Sequence, residues 1–223
     1  VKSLRIDSVA HKIIGMAKAT HFGPTVLVVS ISFILSISQL SAVKSLWIAV
    51  AILVGQCVVG WTNDLIDHPL DLAAGRVKKP LVGESVNRKQ LQLAIAIALT
   101  LAVLLSFLGP LGIKGGFLHM LGLASATIYN FGAKSTWFSA LPYAISFGAM
   151  PCAIYSAAHK NPQVWLVTDF VLVSMSFHFL NVIKDMEWDR TQSVLGLPQR
   201  LGRSWSFTAA LSCLGIAVLV AFL

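Results

Sequence analysis

Three carboxylates, Asp64, Asp67 and Asp71, follow directly on nineteen uncharged residues (45–63), in a chain with only nine acidic residues in all. On a helix Asn63, Asp67 and Asp71, at i, i+4 and i+8, share one face, and Asp64 lies beside them, three residues before Asp67. A second string, Asn181-x-x-x-Asp185-x-x-x-Asp189, repeats the spacing at an offset of 118 residues. Acids deep in a membrane span cost roughly 2.5–3.5 kcal/mol each, less toward the interface, so two such faces confronting each other require something cationic between them. Oxygen donors without histidine or cysteine suit hard divalent cations. One or two carboxylates with waters and a phosphate is the usual arrangement for Mg2+.

Basic side chains follow each acidic string: Arg76, Lys78 and Lys79 after the first, Arg190, Arg200 and Arg203 after the second. Carboxylates that gather magnesium, with cations just beyond, make a site for a diphosphate, whose oxygens the metal bridges and whose remaining charge the cations neutralise. Arg76, Lys79 and Arg190 are the expected anion contacts, whereas Arg88, Lys89, Arg200 and Arg203 read as ordinary loop residues. Pro69 is expected to end or kink the first helix, because it lacks an N–H and clashes one turn back, so that Asp71 is presented from a turn. His68, just before it, reads as a loop histidine. His119, His159 and His178 read as packing or hydrogen-bonding residues, and Cys57, Cys152 and Cys213, without C-x-x-C spacing, as small buried hydrophobes.

The elements that position these residues are membrane helices. The chain has 223 residues, 56% apolar and 12% charged, with a mean hydropathy of +0.77, too apolar for an ordinary soluble domain. Intervals free of Lys and Arg run 19–43, 45–63, 90–113, 115–133, 135–159, 161–183 and 204–223. Each can cross a bilayer, which takes roughly 20 residues. The expected fold is an all-α, multi-pass bundle of about seven spans, since lipid offers no partner for unpaired backbone groups. With the N-terminus in the cytoplasm, fourteen Lys and Arg fall on inner segments and only Lys44, Lys114 and Lys160 outside, which satisfies the positive-inside bias and puts both acidic strings on the cytoplasmic side. The six tryptophans fall near span ends, as an interfacial belt would have them. Residues 1–20 lack a signal-peptide pattern and read as a surface-lying amphipathic helix. The net charge of +8 is explained by topology and anionic lipid, without nucleic acid.

The offset that relates the acidic strings also carries Pro24 onto Pro142 and Pro80 onto Pro198. The chain therefore reads as one domain, 1–223, built of two related halves, about 19–113 and 135–223, with the fourth span between them. That span lacks a counterpart after the seventh, so the second half is either shorter or continues beyond Leu223.

These strings resemble the signatures of the UbiA superfamily of intramembrane prenyltransferases, typified by 4-hydroxybenzoate polyprenyltransferase. Asn63, Asp64, Asp67 and Asp71 match NDxxDxxxD; Asp185 and Asp189, then Leu197, Pro198, Leu201 and Gly202, match DxxxD followed by L-P-x-x-L-G. Soluble prenyl synthases show DDxxD instead. The resemblance covers essentially the whole chain and implies a central cavity, Mg2+ held by Asp64, Asp67, Asp71, Asp185 and Asp189 with Asn63 and Asn181 orienting, and transfer of a prenyl chain from its diphosphate to an acceptor. Lys79 before Pro80 stands where the family has arginine before proline, and lysine offers a point charge in place of a fork. Tyr129 and Lys134 match a tyrosine and basic pair in part, with Ser135 where a further basic residue often stands. The family usually has nine spans, and the two in excess of seven would follow both motifs. Aromatic acids and quinone precursors are the commonest acceptors among such enzymes; a sugar phosphate, or internal cyclisation of the chain, would use the same metal site. A divalent-cation transporter would also carry intramembrane acids in duplicated halves, but these acids sit at span ends amid arginine and lysine. A non-catalytic relative would not need intact motifs.

Overall fold

The structure, a computed structural model, describes residues 12–222, and the described residues contain no strand. The helices are α1 (Lys12–Ala19), α2 (Phe22–Ile37), α3 (Ala42–Ala73), α4 (Arg88–Leu108), α5 (Gly112–Asn130), α6 (Leu141–Ala157), α7 (Val164–Ile183), α8 (Met186–Thr191), α9 (Leu197–Leu201) and α10 (Arg203–Ala221), with a 3-10 turn at Ala133–Ser135. The N-terminal surface helix expected over 1–20 lies mostly outside the described residues.

Seven of these helices, α2 to α7 and α10, correspond one to one with the seven intervals. Among the described residues α3, α4, α7 and α10 are each long and apolar enough to cross a membrane, and α1 with α2, bent by 65° at their break, makes a fifth if the pair is one span. The expected seven therefore reduce to four or five on this measure. The shortfall has a physical cause in α5 and α6, which pack closely on each other and line a cavity. α5 carries Gly112, Gly115, Gly116 and Gly122 together with Lys114. α6 is 17 residues long and contains Pro151. Ser146 Oγ donates to the Gly122 carbonyl at 2.8 Å, a contact that only such small residues permit.

Burial is arranged as lipid requires. Large apolar side chains such as Val43 (79% exposed), Ile113, Leu108 and Leu219 face outward, while Ser32, Ser45, Ala51, Ala102, Ser106 and Ala210 are fully buried between helices. The hydroxyls of Ser32, Ser45 and Ser106 satisfy themselves on carbonyls three or four residues earlier, as Ser45 does on the Ser41 carbonyl at 3.0 Å. α2, α3, α5 and α6 form an inner ring, closed by the α2–α6 contact; α4 packs against α3 and α5, α7 against α6, and α10 against α7.

Two features of this ring set the site. α3 does not stop at Pro69: it runs 32 residues to Ala73 with the proline inside. The missing N–H removes one bond near the end of the helix, and the last turn is closed by Ala74 N–H to Leu70 O and Arg76 N–H to Asp71 O, at 2.9 and 3.0 Å. The stop comes at Gly75, whose φ of 61° suits glycine. His68 is therefore helical, in contrast to the loop position expected of it. The second feature is the α1–α2 break at Thr20 and His21. A Cβ on Gly60 would lie 2.7 Å from the Thr20 backbone, so the break sits directly on α3. Trp61 Nε1 ties the same region down by donating to the Met16 carbonyl at 3.0 Å. Gly60→Val is expected to destabilise the protein by about 1–3 kcal/mol through overpacking, or about 2–4 °C of melting temperature per kcal/mol for a chain of this length. Thermal unfolding in detergent measures it; an unchanged midpoint would mean that the break is not seated on α3.

Candidate active site

The inner ring encloses a cavity of about 780 Å³. Its walls are apolar over most of their depth, with Val28, Ile52, Leu118, Phe147 and Ile154 among them. One end is charged, and there Asn63, Asp67 and Asp71 of α3 meet Asn181, Asp185 and Asp189 of the α7–α8 segment. Residues 118 positions apart in the chain thus line one space.

The first string projects from an unbroken helix. Asn63 Nδ2 donates to Asp67 Oδ2 at 2.9 Å, one turn along the shared face, and to Asn130 Oδ1 at 3.3 Å. Asn130 is buried at the end of α5 and donates in turn to the Val59 carbonyl at 2.9 Å. Asp64 departs from the expectation. It is 3% exposed and does not line the cavity, because one residue beyond Asn63 is about 100° around the helix from the shared face. Lys79 Nζ, at 2.6 Å, and His21 Nε2, at 3.2 Å, approach its Oδ1 instead.

The second string is jointed. Asn181 belongs to α7, Lys184 and Asp185 form a turn, and Asp189 lies in the short α8. Backbone bonds from Asp185 N–H to Val182 O and from Asp189 N–H to Asp185 O, at 3.1 and 2.9 Å, carry the chain round the joint. The expected single helix face is therefore absent here, although its three residues still line the cavity. Gln199 of α9 donates through Nε2 to Asp189 Oδ2 at 2.8 Å. Burial pushes the Asp189 carboxyl above its ordinary range; the Gln199 hydrogen bond opposes this, and the Asp185 charge adds to it. Arg190, expected among the anion contacts, is not brought to the cavity. Its guanidinium donates to the Gln199 carbonyl at 2.6 and 3.2 Å and thereby fastens α9 to α8. Ser139 Oγ accepts the Leu197 N–H at 2.9 Å, which docks the L-P-x-x-L-G segment on the stretch that follows the 3-10 turn.

Cations stand between the acids. Lys134, from the 3-10 turn, is paired with Asp67 Oδ1; Arg76 lies 3.2 Å from Asp71 Oδ1; Lys79 is also 3.9 Å from Asp71 Oδ2. The Arg76 guanidinium sits 5.5 Å from the centre of the Trp188 ring and so joins the α3 end to α8. Tyr129 and Tyr143 meet edge to face at 5.4 Å, and both line the cavity next to this charged end. Trp61 and Trp188 are thus half-buried and engaged by protein partners, while Trp47, Trp137, Trp165 and Trp205 are exposed. Among the described residues no three acidic, histidine or cysteine side chains converge tightly enough to cage a metal by themselves.

His21, Asn130, Lys184 and Gln199 line the cavity but were not expected to. Asn130 stands next to Tyr129 and four residues before Lys134, and Gln199 lies within L-P-x-x-L-G, so both had a local signal. His21 and Lys184 had none beyond their nearness to Pro24 and Asp185.

The fold has known counterparts. A UbiA homologue from Archaeoglobus fulgidus bound to GPP and Mg2+ superposes with a TM-score of 0.81 at 11% identity, over 92% of this chain and 76% of that one. A structure of digeranylgeranylglyceryl phosphate synthase gives 0.73 at 20% identity, over 94% and 76%. A UbiA homologue from Aeropyrum pernix K1, in its apo form, gives 0.70 at 20% identity, over 95% and 77%. At these identities the likeness is one of fold. A search of curated proteins finds no match. The sequence itself decides the family: the model of the UbiA prenyltransferase family matches residues 23–223, a stretch that takes in both acidic strings and every helix of the ring, and the chain belongs to that family.

Proposed function

We propose that this protein transfers a prenyl chain from an allylic prenyl diphosphate to an acceptor, with Mg2+ assisting departure of the diphosphate. The observation that carries the reading is the meeting of two acid segments, ringed by Arg76, Lys79, Lys134 and Lys184, at one end of an otherwise apolar cavity. The residues fit magnesium: Asn63, Asp67, Asp71, Asn181, Asp185 and Asp189 offer only oxygen donors toward the cavity. The absence of a closed cage suits an ion that keeps waters and takes oxygens from a phosphate. The UbiA homologue with GPP and Mg2+ shares the fold. Magnesium bound there supplies positive charge to the diphosphate as the allylic C–O bond breaks.

The chain's own groups do the rest. Lys79, Lys134 and Arg76 donate to the diphosphate oxygens as their charge grows, a stabilisation strongest where water is excluded. The apolar walls hold the hydrocarbon and keep water from the cation that ionisation creates. Tyr129 and Tyr143 present aromatic rings to that cation and to an acceptor, which we take to be an aromatic or quinone precursor. Bond making joins the allylic carbon to the acceptor nucleophile, whose proton is lost, and inorganic pyrophosphate leaves. The charged end faces the cytoplasm in this reading, and the two halves of the chain are related repeats of a single domain. A cation route would not be ringed by four basic side chains.

The test is turnover by the purified full chain in detergent. Incubated with Mg2+, geranyl, farnesyl or geranylgeranyl diphosphate and a panel of hydroxybenzoates, naphthoates, sugar phosphates and glycerol phosphates, it is expected to release pyrophosphate. Mass spectrometry should find the new C–C bond on an aromatic acceptor. Metal uptake into liposomes with no such turnover would favour transport. A product formed only on a sugar or glycerol phosphate would correct the acceptor class.

A further inference from the structure

Of the four residues in the first motif, Asp64 alone is turned from the cavity, and what it holds there has a function of its own. Its Oδ2 is buried with no hydrogen-bond partner, and its Oδ1 is approached by Lys79 Nζ at 2.6 Å and His21 Nε2 at 3.2 Å. A carboxylate only accepts hydrogen bonds, so both nitrogens direct hydrogens at it. One oxygen is enclosed by protein and the other is engaged by two donors. Oδ2 keeps its lone pairs but is shut in by protein, and Oδ1 is taken by the two donors, so Asp64 presents no unengaged oxygen to the cavity, whereas Asp67 and Asp71, on the shared face, line it. Lys79 and His21 line it too. Lys79 reaches from Asp64 toward Asp71, and His21 is fixed from behind: its φ is 57°, Thr25 Oγ1 donates to the preceding Thr20 carbonyl at 2.7 Å, and the break rests on Gly60.

We infer that Asp64 is the buried counter-ion of a two-donor clamp, Lys79 and His21, that grips the diphosphate, and that His21 is a substrate-contacting residue. This rests on the diphosphate substrate proposed above. Asp64 acts as a positioning residue: it holds two N–H-bearing side chains at the edge of the charged end, from α1–α2 on one side and from the segment after α3 on the other. Metal and diphosphate are then served by different carboxylates of one short string.

Titration calorimetry on the full chain in detergent separates the two roles, with Mg2+ alone and with inorganic pyrophosphate in saturating Mg2+ as probes. Asp64→Asn is expected to leave Mg2+ affinity within about 3-fold of wild type while weakening pyrophosphate about 10-fold, the scale of one lost charged hydrogen bond. Asp67→Asn loses Mg2+ binding itself. His21→Gln is expected to weaken pyrophosphate by about 10-fold and His21→Lys to restore it, which a packing role would not do. The His21 side chain is 39% exposed, so its exchange should leave the fold intact, and this pair decides the matter even if Asp64→Asn misfolds. Loss of Mg2+ binding in Asp64→Asn equal to that in Asp67→Asn would overturn the inference, as would unchanged pyrophosphate affinity in His21→Gln. If the wild-type protein binds neither probe, the prenyl-transfer reading itself falls and this inference with it.

Discussion

Asp67→Asn and Asp185→Asn are each expected to lower prenyl transfer by about 10³-fold, on the scale of removing a principal electrostatic contact from a transition state. Asparagine keeps the size and shape of each side chain and removes its charge. At position 67 it can still accept from Asn63, whose amide lies 2.9 Å from Asp67 Oδ2; at position 185 the backbone bonds that carry the joint are untouched. The fold should therefore survive, with a melting temperature in detergent close to wild type, and the loss should appear as lost Mg2+ binding. Single-turnover measurements of pyrophosphate release with purified variants check it. Wild-type rates in both would remove these carboxylates from the site.

The second large effect is expected at Lys134. Its ammonium pairs with Asp67 from the 3-10 turn between α5 and α6, so Lys134→Met takes a positive charge from the place where, in the proposed reaction, the diphosphate would accumulate negative charge. A loss of about 10²-fold in kcat/KM is expected, with Lys134→Arg retaining part because the charge remains while its geometry changes. A readout other than activity accompanies it. With Lys134 gone, Asp67 Oδ1 is free, so added Mg2+ should raise the melting temperature of the Lys134→Met protein more than that of wild type, by preferential binding to the folded state. An unchanged kcat/KM, or an identical Mg2+ response, would show that Lys134 neither serves the substrate nor shares Asp67 with a metal.

The sequence announced what depends on spacing along one helix and on charge against an apolar background. Asp67 and Asp71, four residues apart, fall on one face, and the intervals between basic residues place the seven long helices. Lys79, Lys134 and Tyr129 were legible through their family positions. What escaped depended on partners distant in the chain or on rotation about the helix. Asp64 matches the motif by type, yet it points toward Lys79 and toward His21, 43 residues earlier. Arg190 has the right charge in the right place along the chain, but the Gln199 carbonyl, reached only once α9 folds back, takes its guanidinium. Asn130 meets Asn63 across 67 residues. Pro69 forecast a break that the closing bonds after α3 make unnecessary. The length-and-apolarity measure reaches only four or five of the seven intervals among the described residues, because α5 is rich in glycine and carries Lys114, and α6 is short and carries Pro151.

The two acidic strings are alike in letters and unlike in mechanics. One rides on a continuous 32-residue rod; the other spans a two-residue elbow and a helix of six residues. A helix resists bending through its successive hydrogen bonds, of which α3 forgoes the one that Pro69 cannot make, whereas an elbow rotates about a few backbone torsions. In the reaction proposed above, adjustment to the headgroup would therefore fall on the Asp185 arm, with Asp67 held on the stiffer α3.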